Sequence, residues 1–308
     1  MQEKKNKRRL IVLIALIVVT IGVLWFGRRE RTAGVNKELF KTDLQQIDRI
    51  ILQTGSDTIT LTFNGARWKV NDQWYADRDM IEVLFATLQQ AVPVRPVSVS
   101  QRDSIYQELS GKGVQVQLYN KETLTFEFLA GGNLAKSQAY FSRPEDQQVY
   151  VMTIPGYRVY VSGIFELDES GWREKRVFAF NWQNFQKLEA HYPKNPAQDF
   201  SMVMDNLQIV VPGMTATDTA RVNDFLDAVS LLTVDKYVSS SASLDSLLSV
   251  EPIQILTVND IGKRDFNLRL FLTKQQEVKG LINGTQWAEF DSRKIRRILV
   301  PKDFFAGQ

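Results

Sequence analysis

The sequence predicts an α+β protein: an N-terminal transmembrane helix followed by two similar mixed α/β repeats with mainly antiparallel sheets. Three observations predict it. Leu10–Phe26 is an unbroken apolar run with no charge and only Thr20 polar. Behind it, short segments alternate apolar and polar residues between turn signals, the pattern of hairpin-connected strands. The order of those segments around one capped amphipathic helix then returns later in the chain at a constant offset.

Residues 1–9 form a basic tail, 10–27 the anchor and 28–43 a mostly polar tether. At about 1.5 Å per residue the apolar run makes a helix of roughly 25 Å, adequate for a bilayer when its flanking residues snorkel. Trp25 and Phe26 sit where interfacial aromatics belong, with Arg28 and Arg29 just beyond them. Five basic residues precede the run, and three follow it together with Glu30. That bias places the N-terminus in the cytoplasm and exports the C-terminal domain. A cleaved signal peptide fits less well, because the run leads into Gly27-Arg28-Arg29-Glu30-Arg31 rather than a small-residue cleavage site.

The first repeat is expected over 44–162. Ile47–Gln53 and Thr58–Phe63 read as strands, and Asn64-Gly65 turns the chain into Arg67-Trp68-Lys69-Val70. Asp77 is a suitable N-cap for a helix whose Met80, Ile81, Leu84, Phe85 and Leu88 share one face. Val92-Pro93-Val94 and Pro96 stop that helix, and a short helical turn follows around Ser104–Leu109. Val114–Tyr119, Leu124–Leu129, Ala139–Phe141 and Val149–Met152 complete the strands.

A connector is expected over 163–183, holding Trp172, Phe178, Phe180 and Trp182. The second repeat, over 184–305, runs in the same order. Phe200–Met204 and Leu207–Val211 are strands, and Thr217-Asp218 caps a helix carrying Val222, Phe225, Leu226 and Val229. A short helix near Leu244–Leu248 follows, then Ile253–Val258, Phe266–Leu272 and the hairpin Lys279–Phe290. At one constant offset Asp77 falls on Asp218, Leu84 on Phe225, Phe85 on Leu226 and Val97 on Val238.

Charge and composition exclude several function classes. The net charge is +3, yet residues 1–31 carry eight basic residues against Glu3 and Glu30, so the rest of the chain is mildly acidic. The electrostatic argument for nucleic-acid binding therefore fails. There is no cysteine, which removes disulfides, thiolate metal sites and a cysteine nucleophile.

No catalytic constellation, cofactor site or metal site is legible. The one histidine, His191, stands in Glu189-Ala190-His191-Tyr192-Pro193 without a serine-nucleophile motif and reads as a surface or turn residue. Asp77-Arg78-Asp79 interrupts its carboxylates with a cation, unlike a calcium loop. Gly111-Lys112-Gly113 and Ala130-Gly131-Gly132-Asn133 lack a phosphate-binding fingerprint and read as turns. Glu166, Asp168 and Glu169 could serve a glycosidase only within a cleft; in a connector they read as a solvated charge run.

Trp68, Trp74 and Trp287 are the candidates for a ligand or partner surface, against the alternative that strand aromatics fill cores. Asp57-Thr58-Ile59, Asp103-Ser104-Ile105, Asp218-Thr219-Ala220 and Asp245-Ser246-Leu247 resemble an Asp-Ser/Thr-aliphatic acceptor used for O-glycosylation of exported bacterial proteins. Helix capping is the competing explanation.

The order of anchor, strands, Asn64-Gly65-Ala66-Arg67-Trp68-Lys69-Val70, and Tyr75-Ala76-Asp77 before an amphipathic helix resembles a known family. Leu109-Ser110-Gly111 before Val114-Gln115-Val116-Gln117-Leu118, and Ala139-Tyr140-Phe141 with Val149-Tyr150-Val151, extend the likeness. The family is the bacterial domain-of-unknown-function family numbered four-three-four-zero. A related domain forms part of the GldG-type auxiliary subunit of gliding-motility ABC transporters. A Tyr-Gly-Leu of that family is only partly kept, as Tyr106-Gln107-Glu108-Leu109. The resemblance implies a domain on the periplasmic side of the bacterial inner membrane, with the bilayer and an ABC permease or ATPase subunit as partners. It transfers no catalytic residue. A non-enzymatic accessory or scaffold subunit of an envelope complex is therefore expected. An envelope glycan or peptide binder is the alternative, and a carboxylate hydrolase ranks below both. Oligomeric state is not legible.

Overall fold

A computed structural model describes residues 16, 17, 19, 20, 35–206 and 208–307. Of the expected anchor, Leu16, Ile17, Val19 and Thr20 are described and are helical. The rest of it, with Trp25, Phe26, Arg28 and Arg29, lies outside the described residues. Among the described residues no helix is long and apolar enough to cross a membrane. The protein is α+β, with two mainly antiparallel sheets and few helices. It divides into two compact units, 1–168 and 169–308.

In the first unit the strands are β1 (Arg49–Thr54), β2 (Asp57–Phe63), β3 (Trp68–Val70), β4 (Trp74–Tyr75), β5 (Val92–Pro96), β6 (Val114–Asn120), β7 (Thr123–Gly132), β8 (Ala139–Ser142) and β9 (Val149–Thr153). They form one nine-stranded sheet ordered β4-β3-β2-β1-β6-β7-β8-β9-β5. Helix α1 (Arg78–Gln90) carries the chain from one sheet edge, β4, to the other, β5. Asp77 caps it by accepting from the amides of Asp79 and Met80, and Ile81, Leu84 and Leu88 are buried along it.

Asn64 builds the β2–β3 turn. Its side-chain oxygen accepts from the amides of Ala66 and Arg67, and Gly65 takes φ +90°. The tether ends in this unit's core, where the Phe40 ring packs edge-on against Phe128, Phe141 and Tyr150. Phe165 meets Phe128 and Phe141 in the same cluster.

Two expectations are corrected here. Val92–Pro96 does more than stop α1: it is an edge strand paired with β9, with a bulge between Pro93 and Arg95. An edge tolerates the missing amides of its prolines. The helical turn around Ser104–Leu109 is part of a 14-residue helix, α2 (Val99–Lys112), of which only Leu109 is fully buried. It covers part of the sheet's second face through Val97, Leu109 and Val149, with Ile105 and Tyr140 packed alongside.

The second unit opens with α3 (Glu169–Trp172) and continues through β10 (Phe185–His191), β11 (Phe200–Asp205), β12 (Gln208–Val210), α4 (Thr219–Ser230), β13 (Lys236–Val238), α5 (Ala242–Asp245), β14 (Gln254–Asp260), β15 (Asp265–Leu272), β16 (Val278–Ile282), β17 (Gln286–Glu289) and α6 (Ser292–Ile298). The eight-stranded sheet is ordered β12-β11-β10-β14-β15-β16-β17-β13. Matching β10 to β1 and proceeding along the chain, this is the order of the first sheet without β4. The matching helix, α4, is capped by Asp218, and Val222, Phe225, Leu226 and Val229 are buried on it.

The core of this unit joins those residues to Leu188, Met202, Leu256, Leu268 and Phe305. A smaller cluster of Phe271, Leu281 and Trp287 takes up Leu244 and Leu247 from around α5.

Residues 169–182 are part of the second unit's fold. The amide of Val177 donates to the Leu232 carbonyl, and the amide of Val234 donates to that of Lys175. Trp172 and Phe178 are fully buried, whereas Trp182 is exposed.

Candidate functional site

Among the described residues, each unit carries a hollow lined in part by polar side chains. In the second unit, β10 and β11 bring Glu189, His191 and Ser201 onto one sheet face, beside Thr257 of β14 and Lys302. The resulting hollow is open and measures about 530 Å³. His191 ends β10 and is half exposed. Its Nδ1 stands 2.6 Å from Asp199 Oδ2, while Asp199 Oδ1 accepts from the Tyr192 amide at 2.7 Å. Asp199 thus orients the imidazole, as the acid of a hydrolytic triad would. Among the described residues no hydroxyl is hydrogen-bonded to His191. The histidine expected at a surface or turn is a surface histidine at the end of a strand, with a carboxylate partner.

In the first unit a hollow of about 200 Å³ lies between the end of α2, the end of β7 and the segment around Tyr160. Its centre is a carboxylate held by two donors. Tyr160 Oη donates to Glu166 Oε1, and Lys136 Nζ donates to Glu166 Oε2 at 2.8 Å. Burial first, and the Glu166 carboxylate second, push the Tyr160 phenol well above its ordinary range. It therefore stays a hydrogen-bond donor. With a phenol and an ammonium donating to it, the Glu166 carboxylate is held in place as an acceptor. Gly131 and Gly132 are part of the hollow's lining and are a further correction to the sequence reading. They are not turn residues but the paired end of β7, opposite Tyr140 and Ala139. A Cβ on Gly131 would come within 2.7 Å of Leu109 Cδ2, and one on Gly132 within 2.4 Å of the Gln138 carbonyl and of Tyr160 Cε2. Glycine is needed there for close approach, not for a bend.

Glu169 belongs to the other unit, where it faces Arg173 at 3.6 Å. Arg173 stacks 3.7 Å over the Tyr237 ring, and burial raises the Tyr237 phenol to about 12. Among the described residues no group of three or more His, Asp or Glu side chains could hold a metal ion.

The tryptophans do not form one platform. Trp287 is 4% exposed, against Phe271 in the second unit's smaller cluster, so it presents no surface to a ligand or partner. Strand β17 turns it toward the face covered by α5. Trp68 is half-buried in the first unit between Phe63 and Phe85, with ring centroids 5.6 and 5.5 Å away. Trp74, also half-buried, lies in the edge strand β4. Sequence reasoning missed Tyr160, Lys136 and Asp199. Lys136 and Glu166 are thirty residues apart in the chain, and no local pattern links them.

A family model described as Domain of unknown function (DUF4340) matches residues 72–250, more than half of the chain. The chain belongs to this family. The DUF4340 match begins in the turn before β4 and ends beyond α5, so it takes in parts of both units. It covers the first-unit hollow and the His191–Asp199 pair, but not Lys302. No curated protein and no solved structure matches the chain.

Proposed function

We propose that this DUF4340 protein is a non-enzymatic, membrane-anchored domain on the periplasmic side of a bacterial inner membrane. There it acts as an accessory or scaffold subunit of an envelope complex, with the permease or ATPase of an ABC transporter, as in gliding motility, as its partner. The observation that carries this reading is the uncharged run Leu10–Phe26 with its excess of basic residues on the N-terminal side. A second support is the use of the polar groups: His191 is engaged by Asp199 and Glu166 by two donors, which suits fixed architecture better than turnover. The matching strand order of the two sheets, β4 apart, supports a duplicated plan, and two copies of one unit suit a scaffold that presents related surfaces. The glycan-binding alternative is weakened by the burial of Trp287 and by the aromatic neighbours flanking Trp68.

The test is in-membrane crosslinking of the full-length protein, gentle detergent extraction, and mass spectrometry of what is recovered. Stoichiometric recovery of a permease or ATPase is expected. Recovery of this chain alone, from extracts in which other transporters remain assembled, would overturn the accessory-subunit reading.

A further inference from the structure

We propose that Thr58, Ser104, Thr219 and Ser246 are acceptors for O-linked glycan. The proposal rests on the export argued above, since the modifying enzyme would work on the exported chain. Each hydroxyl follows an aspartate and precedes an aliphatic residue. In the fold all four are exposed, two in each unit. Thr58 lies at the start of β2, Ser104 within α2, Thr219 at the first position of α4 and Ser246 just after α5.

Helix capping explains only one of the four patterns. Asp218 caps α4, accepting from the amides of Ala220 and Arg221. Asp57 opens a strand, and its carboxylate meets only the Ser56 hydroxyl. Asp103 lies inside α2, paired with Arg102 at 2.9 Å on the surface. Asp245 ends α5 and accepts from Ser240 Oγ. Three aspartates thus stand before a hydroxyl residue without satisfying a helix terminus.

The third position fixes the order of events. Ile59, Ile105 and Leu247 are half-buried in the folded units, with Ile105 against the Leu109 cluster and Leu247 against the Trp287 cluster. An enzyme that reads all three side chains must meet them before these clusters close. The exposed hydroxyl positions then leave room for a bulky, solvated glycan on the finished fold. In the transfer step, the Ser or Thr oxygen attacks the anomeric carbon of a glycan carried on an isoprenoid diphosphate. The bond from that carbon to the diphosphate oxygen breaks, the hydroxyl proton passes to a base of the transferase, and the isoprenoid diphosphate leaves.

The experiment uses full-length protein from its native membrane, with intact-mass measurement, peptide mapping that preserves glycans, and protease accessibility on intact spheroplasts. Peptides containing the four residues are expected to carry a common hexose-containing increment. Ser100 and Ser110 of the same helix, both exposed and neither preceded by aspartate, are expected to be bare. Asp103→Asn removes only a surface ion pair, worth little to stability, and is expected to strip Ser104 alone. Bare peptides at all four positions of a protease-accessible domain would overturn the proposal and leave export standing. A protease-protected domain would overturn both. Equal modification of Ser100 and Ser110, or indifference to Asp103→Asn, would overturn the assignment to this pattern.

Discussion

Two glycines on neighbouring elements show how far the surroundings decide a residue's role. A Cβ at Gly132 would collide with the Gln138 carbonyl and the Tyr160 ring, whereas one at Gly111 meets nothing within 4 Å. Gly132→Ala therefore forces β7 or Tyr160 to move, and is expected to destabilise by about 1–3 kcal/mol. Gly111→Ala, inside α2, relieves helical entropy and is expected to stabilise by about 0.5–1 kcal/mol. Urea melts of the two variants should move in opposite directions; a Gly132→Ala variant as stable as the parent, or more so, would refute the packing role assigned to Gly132. Two phenols of the second unit set an alkaline limit. Burial raises both Tyr192 and Tyr237 to about 12, and Tyr192 donates to the Val300 carbonyl while Tyr237 donates to that of Glu174. In the unfolded chain both ionise near 10, so between about pH 10 and 12 the unfolded state holds fewer protons than the folded one. Stability contributed by the neutral phenols is complete below pH 10 and is lost as pH rises through that window. Melting temperatures measured from pH 9 to 12 should fall, and Tyr237→Phe should flatten the slope.

At the scale of elements, legibility followed the strength of the local signal. Helices α1 and α4 were readable because aspartate caps and a buried stripe fall at helical spacing, and the strands β2, β6 and β15 alternate plainly. Helix α2 was mostly missed, since its single fully buried side chain, Leu109, gives little periodicity. Strand β5 was hidden by Pro93 and Pro96, whose missing amides only a sheet edge tolerates. Strand β10 escaped because Phe-Gln-Lys-Leu-Glu-Ala-His carries few apolar residues, and its bulge near Phe185 and Lys187 breaks the alternation. The first-unit hollow was not legible, because Lys136 lies thirty residues before Glu166 in the chain, and the six-residue spacing of Tyr160 and Glu166 matches no site motif. The caps themselves can be tested. Asp77→Ala and Asp218→Ala each leave two amides of a helix's first turn without their acceptor, at a cost of about 1 kcal/mol. Asn at either position should recover most of that loss in chemical denaturation, whereas equal losses with Asn and Ala would deny the capping role.

For the whole molecule, the informative feature is that each half closes its own core. The first unit joins Phe40, Leu84, Phe128, Phe141 and Phe165; the second joins Leu188, Phe225, Leu256 and Phe305. Each half is well above the size at which a single core becomes too small to stabilise a fold, roughly 40–60 residues. Fragments 35–168 and 169–307 are therefore expected to fold separately, each with one cooperative thermal transition and dispersed amide resonances. The boundary matters at both ends of the cut. Phe165 must stay with the first fragment, where its ring fills the Phe128–Phe141 cluster. Trp172, Val177 and Phe178 must stay with the second, where Val177 and Lys175 bond to the segment after α4. A cut at residue 183 would strip those residues from the second core and is expected to leave that fragment loosely packed, binding a hydrophobic dye. Asp218→Ala should lower the transition of fragment 169–307, and Asp77→Ala that of fragment 35–168. If fragment 169–307 were molten while the full chain melted cooperatively, its core would depend on residues of the first half, and the two-unit account would fail.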